Sequence, residues 1–482
     1  MIGNKHQVYI RENIPFDIEK NTILNIFTNC VTNYTHGFHK YPAKFIPNIP
    51  RWAIDKYLGT QKDKLVFDPF CGSGTTLVEG LLAGHNVIGI DIDPLSAMIA
   101  KVKTTPVDIS QLAIICHWIA AEIEKQGREG TFKPACTNIN HWFTADAITK
   151  LSLIRTLIDE IPERFGHSRQ NNDISDLLLI CFSSIIRRVS NADNESQKTY
   201  VSHTKIKEPE ETISLFLQQL NFYKERIAQF SLHVNHKLSR HILCSSSTEG
   251  LKTKLEGRTI DLVVTSPPYI KAIDYIYNQM VELFWIGDLF DMQTQTKQNG
   301  KKEYYIGTKH LPKRKYTEYT PFRSTLGINK LDEKLQEVYE KDPKNGHKHA
   351  YIAFKYFTDM EKHFAEIVRY LNPNTHYVVV VGDCSVSGVS FETADFLIDI
   401  AERNGFSITN KWGYQIKAED DGIVIAAKVT TDVFTTGVWY MLEFKYVQSA
   451  TVGGVAFWID GIEETGGLLG AFNSNTSYQV NR

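Results

Sequence analysis

Two short apolar runs, Leu65-Val66-Phe67 and Asn86-Val87-Ile88-Gly89-Ile90, flank a glycine turn and a helix-compatible stretch. No other feature of the chain constrains its fold as strongly. The first run leads into Asp68-Pro69-Phe70-Cys71-Gly72-Ser73-Gly74-Thr75-Thr76, and residues 77–84 look helical. Strand, glycine turn, helix and strand make the repeating unit of a doubly wound α/β sheet. Gly72 and Gly74 let the backbone pass close to a ligand, and free N–H groups at the helix start point towards it. The second run closes on Asp91, an acid about 20 positions after the turn, which suits a ribose diol.

A third apolar run, Ile260-Asp261-Leu262-Val263-Val264-Thr265, ends in Ser266-Pro267-Pro268-Tyr269. Two prolines cannot continue a sheet ladder, so the backbone turns outward there. Tyr269 then stands just past a strand end, where open α/β sheets place their chemistry. Taken alone, the same residues also fit a proline turn that merely closes a strand.

Together these stretches resemble the DNA amino-methyltransferases of the Ser-Pro-Pro-Tyr type, which use S-adenosylmethionine. Asp68–Thr76 matches their first motif, Gly89–Pro94 their second and Thr265–Tyr269 their fourth. His36–Pro47 looks like the segment they carry before the first motif. The likeness covers residues 30–105 and 240–417.

The resemblance implies a Rossmann-like, doubly wound methyltransferase sheet and double-stranded DNA with a flipped base as substrate. It assigns Tyr41, Pro42, Lys44 and Phe45 to the methionine end of the cofactor. Asp68, Phe70, Gly72, Gly74 and Thr75 belong to its cradle, and Asp91 to its ribose. Ser245 falls where such enzymes usually carry an acid for the adenine amino group. The run Ser245-Ser246-Ser247 is a departure that leaves this contact open.

The Ser266 hydroxyl and Pro267 carbonyl would accept the amino hydrogens, with Pro268 shaping the loop and Tyr269 stacking on the base. A serine at the first position of this motif points to the N4 amino group of cytosine ahead of N6 of adenine. RNA guanine amino methylation is a further enzymatic alternative, and a cofactor-binding interaction protein the non-enzymatic one. No Pro-Cys dipeptide of the ring-carbon cytosine methyltransferases occurs. A restriction-modification or phage modification role follows from the same likeness, with a cognate endonuclease as the expected partner.

Charge adds one local signal. With 53 basic and 55 acidic residues the chain has no global basicity, so a DNA surface must be a patch. From Lys297 to Lys315 seven cations stand against Glu303 alone, interleaved with Tyr304 and Tyr305. Lys301, Lys302, Lys313, Arg314 and Lys315 are the candidate phosphate contacts; a solvated loop is the bland alternative.

Seven scattered cysteines without a C-x-x-C argue against zinc or a disulfide framework and for a reducing cytoplasm. His36 and His39 lack the partners of a metal pair. The first residues lack a signal-peptide core, and the longest apolar run, residues 177–182, is far short of a membrane span.

Four parts are expected. Residues 1–107 hold a lead-in, with room for a short helix before residue 30, and the cofactor half. Residues 108–238 form an all-helical insertion, read from the spacing in 112–123, 148–161, 174–186 and 213–230, with a role in target recognition open to it. Within it, Arg187–Asp193 fits either a phosphate or cofactor contact or a plain helix C-terminus. Residues 239–420 form the catalytic half, with the basic loop at 295–348. Residues 421–482 form a β-rich tail, in which 438–445 and 455–461 resemble part of a concanavalin-like or laminin-G-like jelly roll.

Overall fold

The computed structural model describes residues 7–10, 13–19, 22–27, 32–42, 45–194, 198–270, 274–420, 423–435, 439–447, 458–459 and 462–463, with side chains as far as Tyr414. In chain order the first strands are β1 (Gln7–Ile10), β2 (Ile23–Phe27), β3 (Leu65–Asp68), β4 (Asn86–Asp91), β5 (Arg240–Cys244), β6 (Ile260–Thr265) and β7 (Leu371–Val381). The last five are parallel and stand in the order β5-β4-β3-β6-β7.

Their side chains alternate between two cores. Val66, Val87, Val264 and Val378 face one apolar cluster, while Phe67, Ile88, Val263 and Tyr377 face the other. Burial on both faces is why these runs are continuously apolar rather than alternating with polar residues.

Helices fill the crossovers. Helix α1 (Asn48–Leu58) precedes β3, α2 (Thr75–Leu82) joins β3 to β4, and α3 (Pro94–Thr104) follows β4. Asp93 caps α3 by accepting from the Ser96 N–H at 2.7 Å, and Pro94 occupies the first turn, where its missing N–H costs nothing. The expected insertion contains helices Ile109–Glu124, Ala145–Asp159, Arg169–Val189 and Thr212–His233, with the short helices Ile139–Trp142 and Ile161–Phe165 between them.

The insertion shares its core with the segment that follows β6. Trp285, fully buried, sits among Phe132, Phe143 and Phe182. Arg155, only 3% exposed, grips both Asp288 oxygens at 3.0 Å and the Trp285 carbonyl at 2.6 Å.

The hairpin β8 (Cys384–Val386) and β9 (Val389–Phe391) stands apart from the main sheet. Strands β10 (Ser407–Asp420), β11 (Ile423–Thr435) and β12 (Trp439–Val447) continue the main sheet, and β10 runs antiparallel to β11. The stretch read as a β-rich tail is therefore hydrogen-bonded, in part, to β7. A jelly roll is not found among the described residues, and most of 448–482 lies outside them.

The lead-in differs from expectation. Instead of a short helix, β2 pairs in parallel with β10, and β1 with β2. Leu24 and Ile26 are buried there, and Trp412 of β10 meets Trp52 of α1 edge to face. The edge of β10 supplies the partner, which no local window contains.

Candidate active site

One cavity opens at the carboxyl ends of β3, β4, β5 and β6. Tyr41, Phe45, Phe70, Gly72, Thr75, Asp91, Ser245, Ser266 and Pro268 all line it. Residues read from four separate stretches thus meet in one place. Asp68 lies beneath, 1% exposed, and Gly74 is tucked under the loop, where an added Cβ would come within 3.0 Å of Ala100. Pro42 is half-buried and off the wall, and Lys44 lies outside the described residues. Pro267 and Tyr269 are buried; Tyr269, 7% exposed, belongs to the apolar core behind the loop.

The glycine loop is held from several sides. Gly72, at φ +47°, lies under the Tyr41 ring, which a Cβ would approach to 3.0 Å. Its N–H donates to Asp91 Oδ2 at 2.8 Å, and the Asp93 N–H donates to Asp91 Oδ1 at 2.8 Å. Burial, then the Asp93 carboxylate, raises the Asp91 carboxyl to about 7. Asp93 also accepts from the Tyr305 hydroxyl at 2.9 Å. Tyr41 accepts from the Ser96 hydroxyl at 2.9 Å and stacks on Tyr275, ring centroids 5.8 Å apart.

Tyr275, Tyr304, Tyr305, Ile306, Ser73, Ser246 and Ser247 also line the cavity and escaped the sequence reading. Tyr304 and Tyr305 belong to the basic loop, whose interleaved aromatics point to a nucleic-acid surface rather than to a cavity wall, and Tyr275 lies outside it. That loop folds back over the Ser-Pro-Pro-Tyr turn. Gly307, at φ +76°, approaches so closely that a Cβ would stand 2.4 Å from the Tyr269 carbonyl oxygen.

The cations of this loop divide. Lys301, Lys313, Arg314 and Lys315 are exposed, with Lys315 ion-paired to Glu303 at 2.9 Å. Lys302 is turned inward, 8% exposed, and bonds Asp274 at 2.8 Å. Burial alone would raise the Asp274 carboxyl, but His310 and Lys302 outweigh it and hold it at about 2.

Other polar candidates have structural partners. His36 pairs with Glu79 at 2.8 Å, and His39 lies 3.0 Å from the Ser183 hydroxyl. Among the described residues no cluster could hold a metal, and no helix is long and apolar enough to cross a membrane. Arg187 donates to the Asp193 and Lys198 carbonyls, and Arg188 grips Glu210 with two bonds, so this helix end closes on its own loop.

The amino-terminal part, residues 5–101, matches the family model described as DNA methylase. The chain is 28% identical to the Type II methyltransferase M.MvaI of Kocuria varians over 404 residues, covering 78% of this chain and 82% of that protein. It is 25% identical to M.BsoBI of Geobacillus stearothermophilus over 415 residues, 77% and 78% of the two chains. A shorter stretch of 81 residues is 42% identical to M.MjaII of Methanocaldococcus jannaschii, covering 17% and 15%.

These likenesses support a DNA amino-methyltransferase family. Among solved structures, the rRNA methyltransferase aviRa of Streptomyces viridochromogenes aligns at 17% identity over 48% of this chain and 63% of that one. Its TM-score of 0.20 is too low to carry an argument. Amino-methyltransferases of this family take their methyl group from S-adenosylmethionine, whose sulfonium supplies an electrophilic methyl.

The cavity suits that donor. The Ser73 hydroxyl is buried on its wall without a hydrogen-bond partner among the described residues, and the first turn of α2 begins there at Thr75. Asp91 offers a carboxylate on the same wall, and Phe45, Phe70 and Ile306 offer apolar surface.

Proposed function

We propose that the chain methylates the exocyclic N4 amino group of cytosine in double-stranded DNA, as the modification enzyme of a restriction-modification or phage system. One observation carries this reading: Ser266 and Pro268 open into the same cavity as Gly72 and Asp91. A base extruded into that cavity brings its amino group to the methyl donor. Extrusion costs a few kcal/mol, offset in part by stacking. Tyr304, 60% exposed on the rim, offers an aromatic face for it.

The amine lone pair is delocalised into the ring, so it must be held aligned for in-line displacement. In this reading the Ser266 hydroxyl and the Pro267 carbonyl accept the two amino hydrogens. Asp91 accepts the ribose hydroxyls, and Tyr41 and Phe45 wall the methionine end. A serine hydroxyl reaches less far than a carboxylate and suits the smaller pyrimidine. Exposed Lys301, Lys313, Arg314 and Lys315 stand where a phosphate backbone would pass.

Mass spectrometry of nucleosides from DNA incubated with the protein and labelled S-adenosylmethionine tests this. Labelled N4-methylcytosine is the expected product. N6-methyladenine alone would move the target to adenine, and labelled RNA with unlabelled DNA would overturn the substrate class.

A further inference from the structure

Beneath the cavity runs a short buried chain of polar groups that the proposed reaction does not use. The Ser247 hydroxyl, on the cavity wall, lies 2.9 Å from His363 Nδ1. His363 Nε2 lies 2.6 Å from the Tyr377 hydroxyl. The three residues come from the loop after β5, from helix Gly346–Ile367 and from β7. His363 is 3% exposed and Tyr377 fully buried, and Phe70 of the cavity wall packs on the imidazole at 5.1 Å. Burial pushes the His363 imidazole down to about 3, so it is neutral, with one nitrogen donating and the other accepting.

The neighbouring serines are engaged differently. Ser245 Oγ donates to the Glu249 carbonyl at 2.9 Å, and Ser246 Oγ to the Glu249 carboxylate at 3.2 Å. Both close their own turn. Ser247 alone of the three is tied to the core of the catalytic half. It follows β5, the strand next to β4, which carries Asp91. A purine attached to a ribose at Asp91 therefore extends towards this loop.

We propose that His363 is a positioning residue that makes Ser247 the hydrogen-bond acceptor for the adenine 6-amino group of the cofactor. The inference rests on the reading of the cavity as the S-adenosylmethionine site. The Ser247 proton goes to His363 Nδ1, and Nε2–H donates to the Tyr377 oxygen. The serine lone pairs are then left facing the cavity, where an amino group can donate to them. A neutral relay thereby replaces the acid that this position lacks, and it selects a 6-amino purine over a 6-oxo purine.

The test is calorimetric titration with S-adenosylhomocysteine and its deaminated analogue S-inosylhomocysteine. Wild-type protein should prefer the amino form by about tenfold or more, the equivalent of one buried hydrogen bond. Ser247→Ala should lose most of that preference. His363→Phe should lose it as well, and the double variant should lose no more than either single change. His363→Asn keeps an acceptor near the Nδ1 position and should retain the preference, which a merely structural histidine would not predict.

Should His363→Phe fail to fold, Ser247→Ala and His363→Asn still decide the matter. Undiminished preference in Ser247→Ala overturns the inference, as does loss of preference in a folded His363→Asn protein. If wild-type protein binds neither compound, the reading of the cavity itself fails instead.

Discussion

The Thr265 hydroxyl donates to Asp68 Oδ1 at 2.6 Å, joining the last residue of β6 to the last residue of β3. The first leads into the Ser-Pro-Pro-Tyr loop and the second into the glycine loop. A second tie runs the same way, from Thr76 Oγ1 to the Val264 carbonyl at 3.0 Å. The two loops are thereby set at a fixed spacing, which in-line methyl transfer requires.

Breaking that tie should be measurable as stability. Burial raises the Asp68 carboxyl to about 6, against the lowering pull of its hydrogen bonds from Thr265, Thr76 and the Phe70 N–H. Thr265→Val removes the 2.6 Å bond and should cost about 1–3 kcal/mol in urea unfolding at neutral pH. A folded-state value above the unfolded one means that the contribution of Asp68 is fully present below about pH 4 and is lost as pH rises through about 6. The deficit of the variant should therefore shrink in acid, where Asp68 is protonated in both proteins. An equal deficit at pH 4.5 and pH 8 would count against this account.

Asp91 predicts a pH dependence of cofactor binding. The apo protein holds a proton on this group up to about pH 7, whereas the unfolded chain releases it near pH 4. Its contribution to apo stability is thus present in acid and lost as pH rises through 7. Ribose hydroxyls donate to the ionised form, so S-adenosylhomocysteine affinity should rise between pH 5.5 and 8. Asp91→Asn should bind more weakly, and its affinity should stay flat over that range. A parallel slope in both proteins would assign the titration to another group.

For Ser266, the expected signature is separation of binding from turnover. Ser266→Ala should leave S-adenosylhomocysteine affinity within about twofold and reduce the single-turnover methylation rate roughly a hundredfold, by analogy with losing one transition-state hydrogen bond. Unchanged turnover would remove Ser266 from the reaction.

The basic loop makes a divided prediction. Replacing exposed Lys313 and Arg314 with alanine should reduce the slope of log affinity for DNA against log salt by about two. Lys302→Ala should leave that slope unchanged but lower the melting temperature, because Asp274 loses the partner bonded at 2.8 Å. A change in slope for Lys302→Ala equal to that of the exposed pair would show that its inward ion pair opens on DNA.

The sequence by itself determined the strand, glycine turn and strand at 65–91, the strand and proline turn at 260–269, and the helices between residues 109 and 233. Each element is written in its own short stretch of sequence. Gly72, Asp91 and Ser266 are legible because backbone approach, a strand-end acid and a proline-stopped strand are local requirements. The insertion is legible because helical spacing repeats within each segment. Only the tertiary structure decided the rest. Tyr305 reaches Asp93 across 212 positions, and His363 reaches Ser247 across 116. Whether a lysine such as Lys302 faces DNA or an internal carboxylate depends on which surface its loop folds against. Strand β2 exists because β10 presents an unpaired edge to it. Such contacts are set by the packing of distant segments, and hydrophobic periodicity carries no information about which segments meet.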